Sequence, residues 1–449
     1  MASAQSEPAD VPVVAIGSSA GGIVPVGELI AAIGAAPLFA IVVAQHLSAS
    51  RDSSLVQIFQ RSSAMKVKTI DDGEFVQAGV VYVTPPGFDV RYARGQLRLN
   101  LPEQRIVPFP SVDTLLESLA NDPGRYPAIG IILSGLGRDG ERGVRALSRR
   151  GGVILVQTLR EAQSAGMPEA ALRSSCVDLV ATAATLGARL PMICEFLLSN
   201  GAQVRAAEFN AVCAFAEPLL GIGLDRFDPL VLGQALRRRA ALLGADSVMD
   251  YAEQVAEHPA ESDALLRYIL KPAGSFDSQN PERRQMIEAL LACYQKYEGA
   301  QPFRAWSMGC ATGEETYAMV FALEAASKQR DKAPDFLVYG TDLRPDCISL
   351  ARTGSYSDYE VAHLPKSTMT QCMVPHLRFH TVKRELRRKT LFAVHDALLQ
   401  NPLQDMQFVA CIGVMPILSG HHASVLRARL SLSLVPGGVL FSESDLESC

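Results

Sequence analysis

The stretch Val11-Pro-Val-Val-Ala-Ile-Gly-Ser-Ser-Ala-Gly-Gly22 decides how the first half of the chain is read. Val11 to Ile16 is an apolar, β-branched run of the kind that fills a strand buried on both faces. The run breaks at Gly17, and helix-like spacing of apolar residues follows from Ile23. Gly17-x-Ser19-x-Gly21 has the spacing of a nucleophile elbow, a sharp strand-to-helix turn that exposes one serine oxygen at the end of a sheet. Glycines there serve unusual backbone angles and close approach. The helix start beyond supplies N–H groups and a positive dipole end suited to an oxyanion. Two plainer readings stay open on this stretch alone: a glycine turn that only closes a βα unit, and a phosphate-binding loop. The phosphate reading lacks the lysine of a P-loop and the G-x-G-x-x-G of a dinucleotide site.

Outward from this stretch, strand-like runs alternate with amphipathic ones, the pattern of a doubly wound parallel sheet. Phe39 to Ala44 ends in Gln45-His46, and Val80 to Val83 runs into Thr84-Pro-Pro-Gly87. Ile129 to Leu133 ends in Ser134-Gly-Leu-Gly-Arg-Asp139-Gly, and Gly152 to Gln157 is a further strand. Ser19, His46 and Asp139 therefore fall just past the ends of three apolar strands, the edge at which open α/β sheets bind ligands. A serine at neutral pH needs a base, and a histidine base needs an acid to fix its tautomer. Singly, Asp139 also reads as a cap for a helix near Glu141, and His46 as a packed loop histidine.

At 449 residues the chain has room for two or three domains. Apolar residues make up 48% and charged residues 20%, a soluble globular composition. A net charge of −5 gives no electrostatic case for nucleic acid or a membrane surface. No run approaches the ~20 apolar residues that span a bilayer. Nine cysteines without a C-x-x-C pair point to a reducing cytoplasm and away from a metal site.

The motifs Gly17 to Gly22, Gln45-His46, Tyr82-Val-Thr-Pro-Pro86, Pro110-Ser-Val-Asp113, Leu133 to Gly140 and Gly166-Met-Pro168 together resemble the catalytic domain of bacterial chemotaxis protein-glutamate methylesterase, the CheB type. The resemblance implies Ser19 as nucleophile, His46 as general base, Asp139 as its orienting acid, and the backbone N–H of Leu136 as an oxyanion donor. It implies hydrolysis of glutamyl methyl esters on methyl-accepting receptor helices, with glutamine deamidation as a companion activity and no cofactor. Phe109 stands where that family carries a basic residue. Only about ten residues precede the first strand, so a receiver domain and phosphorylation in cis are expected to be absent.

From Ala181 an Ala- and Leu-rich closing helix leads to a hinge at Ser199 to Val204. Asp228-Pro229 and Ser247-x-x-Asp250 are helix-start signals, and Pro259 is read as closing the second helix. Arg237-Arg-Arg239 reads either as a solvated face or as a docking face for an acidic receptor helix. This block resembles the N-terminal helical domain of the receptor methyltransferase, the CheR type.

In the last part, strand Phe303 to Ser307 leads into Met308-Gly-Cys-Ala-Thr-Gly-Glu-Glu315, and strand Phe336 to Thr341 ends in Asp342. Gly309 and Gly313 allow close backbone approach at a helix start, and the acid suits ribose hydroxyls. With the helix before Pro436-Gly-Gly, this set resembles the S-adenosylmethionine-dependent domain of the CheR family. Glu315, Asp342 and Asp396 match its cofactor positions. Its Thr-x-Phe-Phe-Arg is here Gly274 to Ser278, its Cys-Arg-Asn-Val is Cys411-Ile-Gly-Val414, and a following aromatic is Ile417. The expectation is an S-adenosylmethionine site stripped of several directed hydrogen bonds, on a sheet that can lack its last strand.

The expected layout is a tail over 1–10, a methylesterase domain over 11–190, a linker over 191–204, a helical domain over 205–272 and a Rossmann-like methyltransferase-fold domain over 273–449. The expected function is cytoplasmic, serine-dependent receptor demethylation with a degenerate methyltransferase-like module. A bifunctional esterase and methyltransferase, and a non-catalytic signalling scaffold, stand as alternatives.

Overall fold

A computed structural model describes residues 11–35, 37–46, 54–101, 110–122, 126–174, 176–198, 217, 222–257, 259–270, 276, 280–376 and 379–442. They fall into two compact units, Met1–Leu219 with Gly233–Tyr268, and Leu220–Leu232 with Ile269–Cys449.

The first unit is built on a seven-stranded sheet. Its strands are β1 (Val13–Ser18), β2 (Ala40–Gln45), β3 (Lys66–Thr69), β4 (Val80–Val83), β5 (Ile129–Ile132), β6 (Val153–Gln157) and β7 (Leu179–Ala181), in the order β7-β6-β5-β1-β2-β4-β3. Every pairing is parallel. Strand β1 is central, and its Val14, Ala15 and Ile16 have no exposed surface. A strand covered on both faces has no use for alternation, which is why its sequence is uniformly apolar.

Helices α1 (Ile23–Ala31), α2 (Leu55–Ser62), α3 (Val112–Asn121), α4 (Glu141–Arg149), α5 (Gly166–Arg173) and α6 (Ala183–Leu198) cover the two faces. The expected linker beginning at residue 191 is corrected here. Helix α6 runs through that point, and Ile193, Cys194 and Leu197 are buried in the core formed with Val14, Leu29 and Ile30. Gly187 permits this packing, because a Cβ there would lie 2.1 Å from the Leu29 carbonyl oxygen on α1. The hinge at 199–204, the tail over 1–10 and Phe109 lie outside the described residues.

Helix α7 (Pro229–Leu243) is followed by α8 (Val248–Glu257) and α9 (Pro259–Ile269), so Pro259 opens a helix rather than closing one. Proline suits the first turn, where its missing N–H has no intrahelical partner to lose. The part of this block from 233 to 268 belongs to the first unit, which corrects the expected self-standing helical domain over 205–272. Arg238 is the reason. Its Nη1 donates to the Gly151 carbonyl at 2.8 Å, and its Nη2 donates to the Gly152 carbonyl at 2.7 Å and to Asp178 Oδ2 at 3.2 Å. Arg239 makes a two-pronged pair with Glu261, both bonds at 2.7 Å, and also donates to the Asp178 carbonyl. Both arginines are at most 4% exposed. Neither a solvated face nor a receptor-docking face describes them.

The second unit holds a five-stranded parallel sheet of β8 (Phe303–Met308), β9 (Phe336–Asp342), β10 (Thr390–Val394), β11 (Met406–Cys411) and β12 (Leu434–Ser442), in the order β10-β9-β8-β11-β12. Helix α10 (Pro281–Lys296), capped by the Asn280 side chain, and α11 (Glu314–Ser327) pack beside it. Phe276 is buried between Phe321 and Tyr356, a core residue rather than a pocket residue.

Candidate active site and nucleoside pocket

Parallel pairing of β1 with β2 sets Ser18 opposite Gln45, so the next residues, Ser19 and His46, leave the same sheet edge side by side. The His46 N–H donates to the Ser18 carbonyl at 2.9 Å. The Gln45 amide ties the two together, donating to the Ser19 carbonyl at 2.8 Å and to the His46 carbonyl at 3.2 Å. Ser18 Oγ donates to Gln45 Oε1 at 2.6 Å, which fixes the orientation of that amide.

The glycines of this turn divide the two expected uses between them. Only Gly21 takes a left-handed backbone, with φ of 75°. Ser19 does not, so the turn lacks the strained serine of a true elbow. Gly17 serves close approach, since a Cβ there would lie 2.3 Å from Val112 Cγ1.

Asp139 reaches the same edge from the loop after β5. Its Oδ2 lies 2.8 Å from His46 Nε2, and the two side chains are 9% and 6% exposed. The helix that holds Asp139 is not the one expected. Helix α4 is capped by Gly140, at φ of 96°, with no side-chain cap. Asp139 instead lies at the start of α3, where its oxygens accept the N–H groups of Val112 at 2.7 Å and Asp113 at 3.0 Å. Ser111 Oγ donates to it at 3.4 Å while capping α3 itself through the Thr114 N–H. This explains the Pro-Ser-Val-Asp motif, whose structural use was not legible in the sequence. A helix N-terminus offers unpaired N–H groups and a favourable dipole to a carboxylate. Burial opposes the charge on Asp139, but the His46 ring and the α3 N–H donors outweigh it and hold the carboxyl below the usual range.

Three loops close over Ser19. Its N–H donates to the Ser134 carbonyl at 2.9 Å, and the Gly135 N–H donates to the Ser164 carbonyl at 2.9 Å. A Cβ on Gly135 would lie 2.2 Å from Met167 Sδ and 2.9 Å from Ser19 Cβ, so glycine is required there. Among the described residues the N–H groups of Ala20 and Leu136 have no acceptor. Leu136 itself is 65% exposed.

In the second unit a pocket of about 790 Å³, open mouth included, lies at the ends of β8, β9 and β11. Gly309, Asp342 and Asp396 line it, whereas Gly313 and Glu315 do not. Gly313 caps α11 at φ of 93°, and Glu315 is buried and accepts from Ser307 Oγ at 2.9 Å. Asp342 accepts the N–H groups of Ala311 and Arg344, both at 2.9 Å, which leaves acceptor capacity for a diol. Burial pushes its carboxyl up, partly offset by those two N–H groups. Asp396 pairs with the Arg226 guanidinium at 2.9 Å. Ile412, Val414 and Ile417 line the same pocket. The described lining thus combines the Asp342 and Asp396 carboxylates with an apolar wall of Ile412, Val414 and Ile417. Within Gly274 to Ser278 only Phe276 is described.

A parallel α/β sheet with a serine, a histidine–carboxylate pair and loop amides at one edge has the make-up of a hydrolase. Residues 14–190 match the CheB methylesterase family, and residues 279–443 match the CheR methyltransferase SAM-binding domain. A putative protein-glutamate methylesterase/protein-glutamine glutaminase of Leptospira interrogans is 30% identical over 168 residues, covering 37% of this chain and 86% of that protein. Through its N-terminal part the chain belongs to the CheB methylesterase family. A 104.1 kDa protein from the hypE 3′ region of Rhodobacter capsulatus is 26% identical over 422 residues, covering 86% of this chain and 43% of that protein. A protein-glutamate methylesterase/protein-glutamine glutaminase of Paramagnetospirillum magneticum is 36% identical, covering 43% of this chain and 53% of that one. The chain thus spans about half the length of these two relatives. The solved catalytic domain of Thermotoga maritima CheB methylesterase is 28% identical, with 40% and 97% of the two chains covered and a TM-score of 0.37. No described helix is long and apolar enough to cross a membrane.

Proposed function

We propose that the N-terminal part hydrolyses glutamyl methyl esters on the helices of chemotaxis-type receptors in the cytoplasm, using Ser19, His46 and Asp139. The observation that carries this reading is the buried 2.8 Å contact between His46 Nε2 and Asp139 at the edge where Ser19 emerges. An ionised Asp139 holds the proton on Nε2, which leaves Nδ1 as the basic ring nitrogen. His46 takes the Ser19 hydroxyl proton as Oγ attacks the ester carbonyl. The oxyanion is met by the N–H groups of Leu136 and Ala20. Collapse expels methanol, which receives the proton from His46. Water activated by the same ring then cleaves the acyl-serine and leaves a glutamate carboxylate. Glutamine deamidation follows the same steps with ammonia as leaving group.

The CheR-type module supports a role in placing the esterase on its receptor. S-adenosylmethionine, when bound to such a domain, supplies an activated methyl group. Here Gly309, Asp342 and Asp396 would hold its nucleoside, while the Ile412, Val414 and Ile417 wall gives its charged amino-acid end little to bond. The retained nucleoside-facing groups favour one second reading, a bifunctional chain, which labelled methyl transfer to receptor would reveal. The test of the main reading is methanol release from methylated receptor by the chain and by Ser19→Ala. Release that is lost in the variant supports it, and equal inertness of both on several methylated receptors overturns it.

A further inference from the structure

Behind Asp139 stands a second buried carboxylate that the mechanism above does not use. Asp113 Oδ1 accepts the N–H groups of Gly140 at 2.9 Å and Gly143 at 2.8 Å. The Gly140 N–H is shared, since it also lies 3.1 Å from Asp139 Oδ1. The Asp113 N–H in turn donates to Asp139 Oδ1. Asp113 Oδ2 accepts from Arg142 Nε at 3.0 Å. One side chain thus fastens the first turn of α4 to the first turn of α3, with Asp139 held between them.

We propose that Asp113 is a positioning residue of the esterase, which fixes Asp139 through Gly140 and sets a second negative charge behind the His46–Asp139 pair. The proposal rests on the Ser19, His46 and Asp139 reading. The charged and titratable groups facing Asp113 are Asp139 from the loop before α4, Arg142 from α4 and Glu117 from the next turn of α3. His46 lies beyond Asp139 at the end of β2, and Arg91 acts on Glu117. Burial, then the charge of Asp139, push the Asp113 carboxyl up to about 7, against the pull of Arg142. Below that pH one negative charge backs the histidine, and above it two do. A second charge at this range steadies the imidazolium formed as Ser19 attacks.

The test is titration of the His46 ring by NMR in the full chain carrying Ser19→Ala, with His46→Gln to assign the signal. This needs no turnover, so it is decided even where the hydrolysis reading fails. The expected curve has a second inflection near pH 7. Asp113→Asn should abolish that inflection. Where that variant does not fold, Arg142→Gln, whose side chain is 37% exposed, keeps Asp113 and should move the inflection upward. A single inflection in the parent, or a curve that neither variant moves, overturns the proposal. In the chain with Ser19 restored, Asp113→Asn should lower kcat about tenfold at unchanged KM and shift the acid limb of the pH profile down. A purely structural role would lower the fraction of active enzyme and leave that limb in place.

Discussion

Arg238→Ala should unlock the helical block of residues 233–268 from the esterase sheet. The side chain makes hydrogen bonds to two backbone carbonyls, to the Asp178 carboxylate and to the Tyr268 hydroxyl. The side chains of Arg238 and Asp178 are each 5% exposed. Removing one partner of such a pair is costly: Asp178 would keep the Ile154 N–H at 2.8 Å and the charge of Arg239 nearby, and would lose the Arg238 guanidinium. The cost is about 3–5 kcal/mol. For a unit of this size, that corresponds to roughly 6–20 °C in the midpoint of thermal unfolding. Calorimetry of the full chain, together with a urea series, measures it. A double variant with Asp178→Asn should recover part of the loss, because the buried carboxylate that Arg238 balanced is then neutral. Because the clamp grips residues that precede β6 and β7, at the edge opposite Ser19, ester hydrolysis at 20 °C should survive. A loss below 1 kcal/mol, or one fully additive with Asp178→Asn, would refute the view that this arginine holds the block in place.

Asp139→Asn should lower kcat about 10³- to 10⁴-fold on methylated receptor, since a neutral amide no longer selects the ring tautomer. The same substitution has a pH signature in stability. The folded carboxyl is held below its unfolded value, so its stabilisation is present above the ordinary aspartate range near 3.9 and fades as pH falls through the folded value. Urea midpoints of parent and variant should therefore differ most above about pH 5 and converge on acidification below about pH 4. Gly135→Ala forces a methyl against Met167 and Ser19. It should lower kcat by about 10- to 100-fold and cost about 1–3 kcal/mol, read from kinetics and denaturation together.

That Ser19, His46 and Asp139 lie at one sheet edge was legible because each follows a run whose apolar character marks a buried strand. The edge at which they meet then follows from parallel topology. The backbone seat of Asp139 was not legible. Its donors are backbone N–H groups of α3, and backbone atoms leave no residue-specific trace. Arg238 was misjudged for the same reason: a run of arginines on a helix looks solvated, and its main acceptors are the carbonyls of Gly151 and Gly152. In the second unit the glycine loop marked the pocket, yet Gly313 and Glu315 serve the helix start and the Ser307 hydroxyl instead. Residue type alone does not separate a glycine that admits a ligand from one that only ends a loop.

The seat of Asp139 on the first turn of α3 has a consequence for timing. Asp139 comes from the loop after β5, while its seat lies some 27 residues earlier in the chain. The His46–Asp139 pair is therefore held in full only once α3 has docked against the sheet. Fraying of that one turn would release Asp139 without unfolding the sheet. The amide protons of Val112 and Asp113 are thus a clock for the active site. Their exchange with solvent deuterium reports how often the acid lets go, and a receptor helix bound over Ser19 would be expected to slow it.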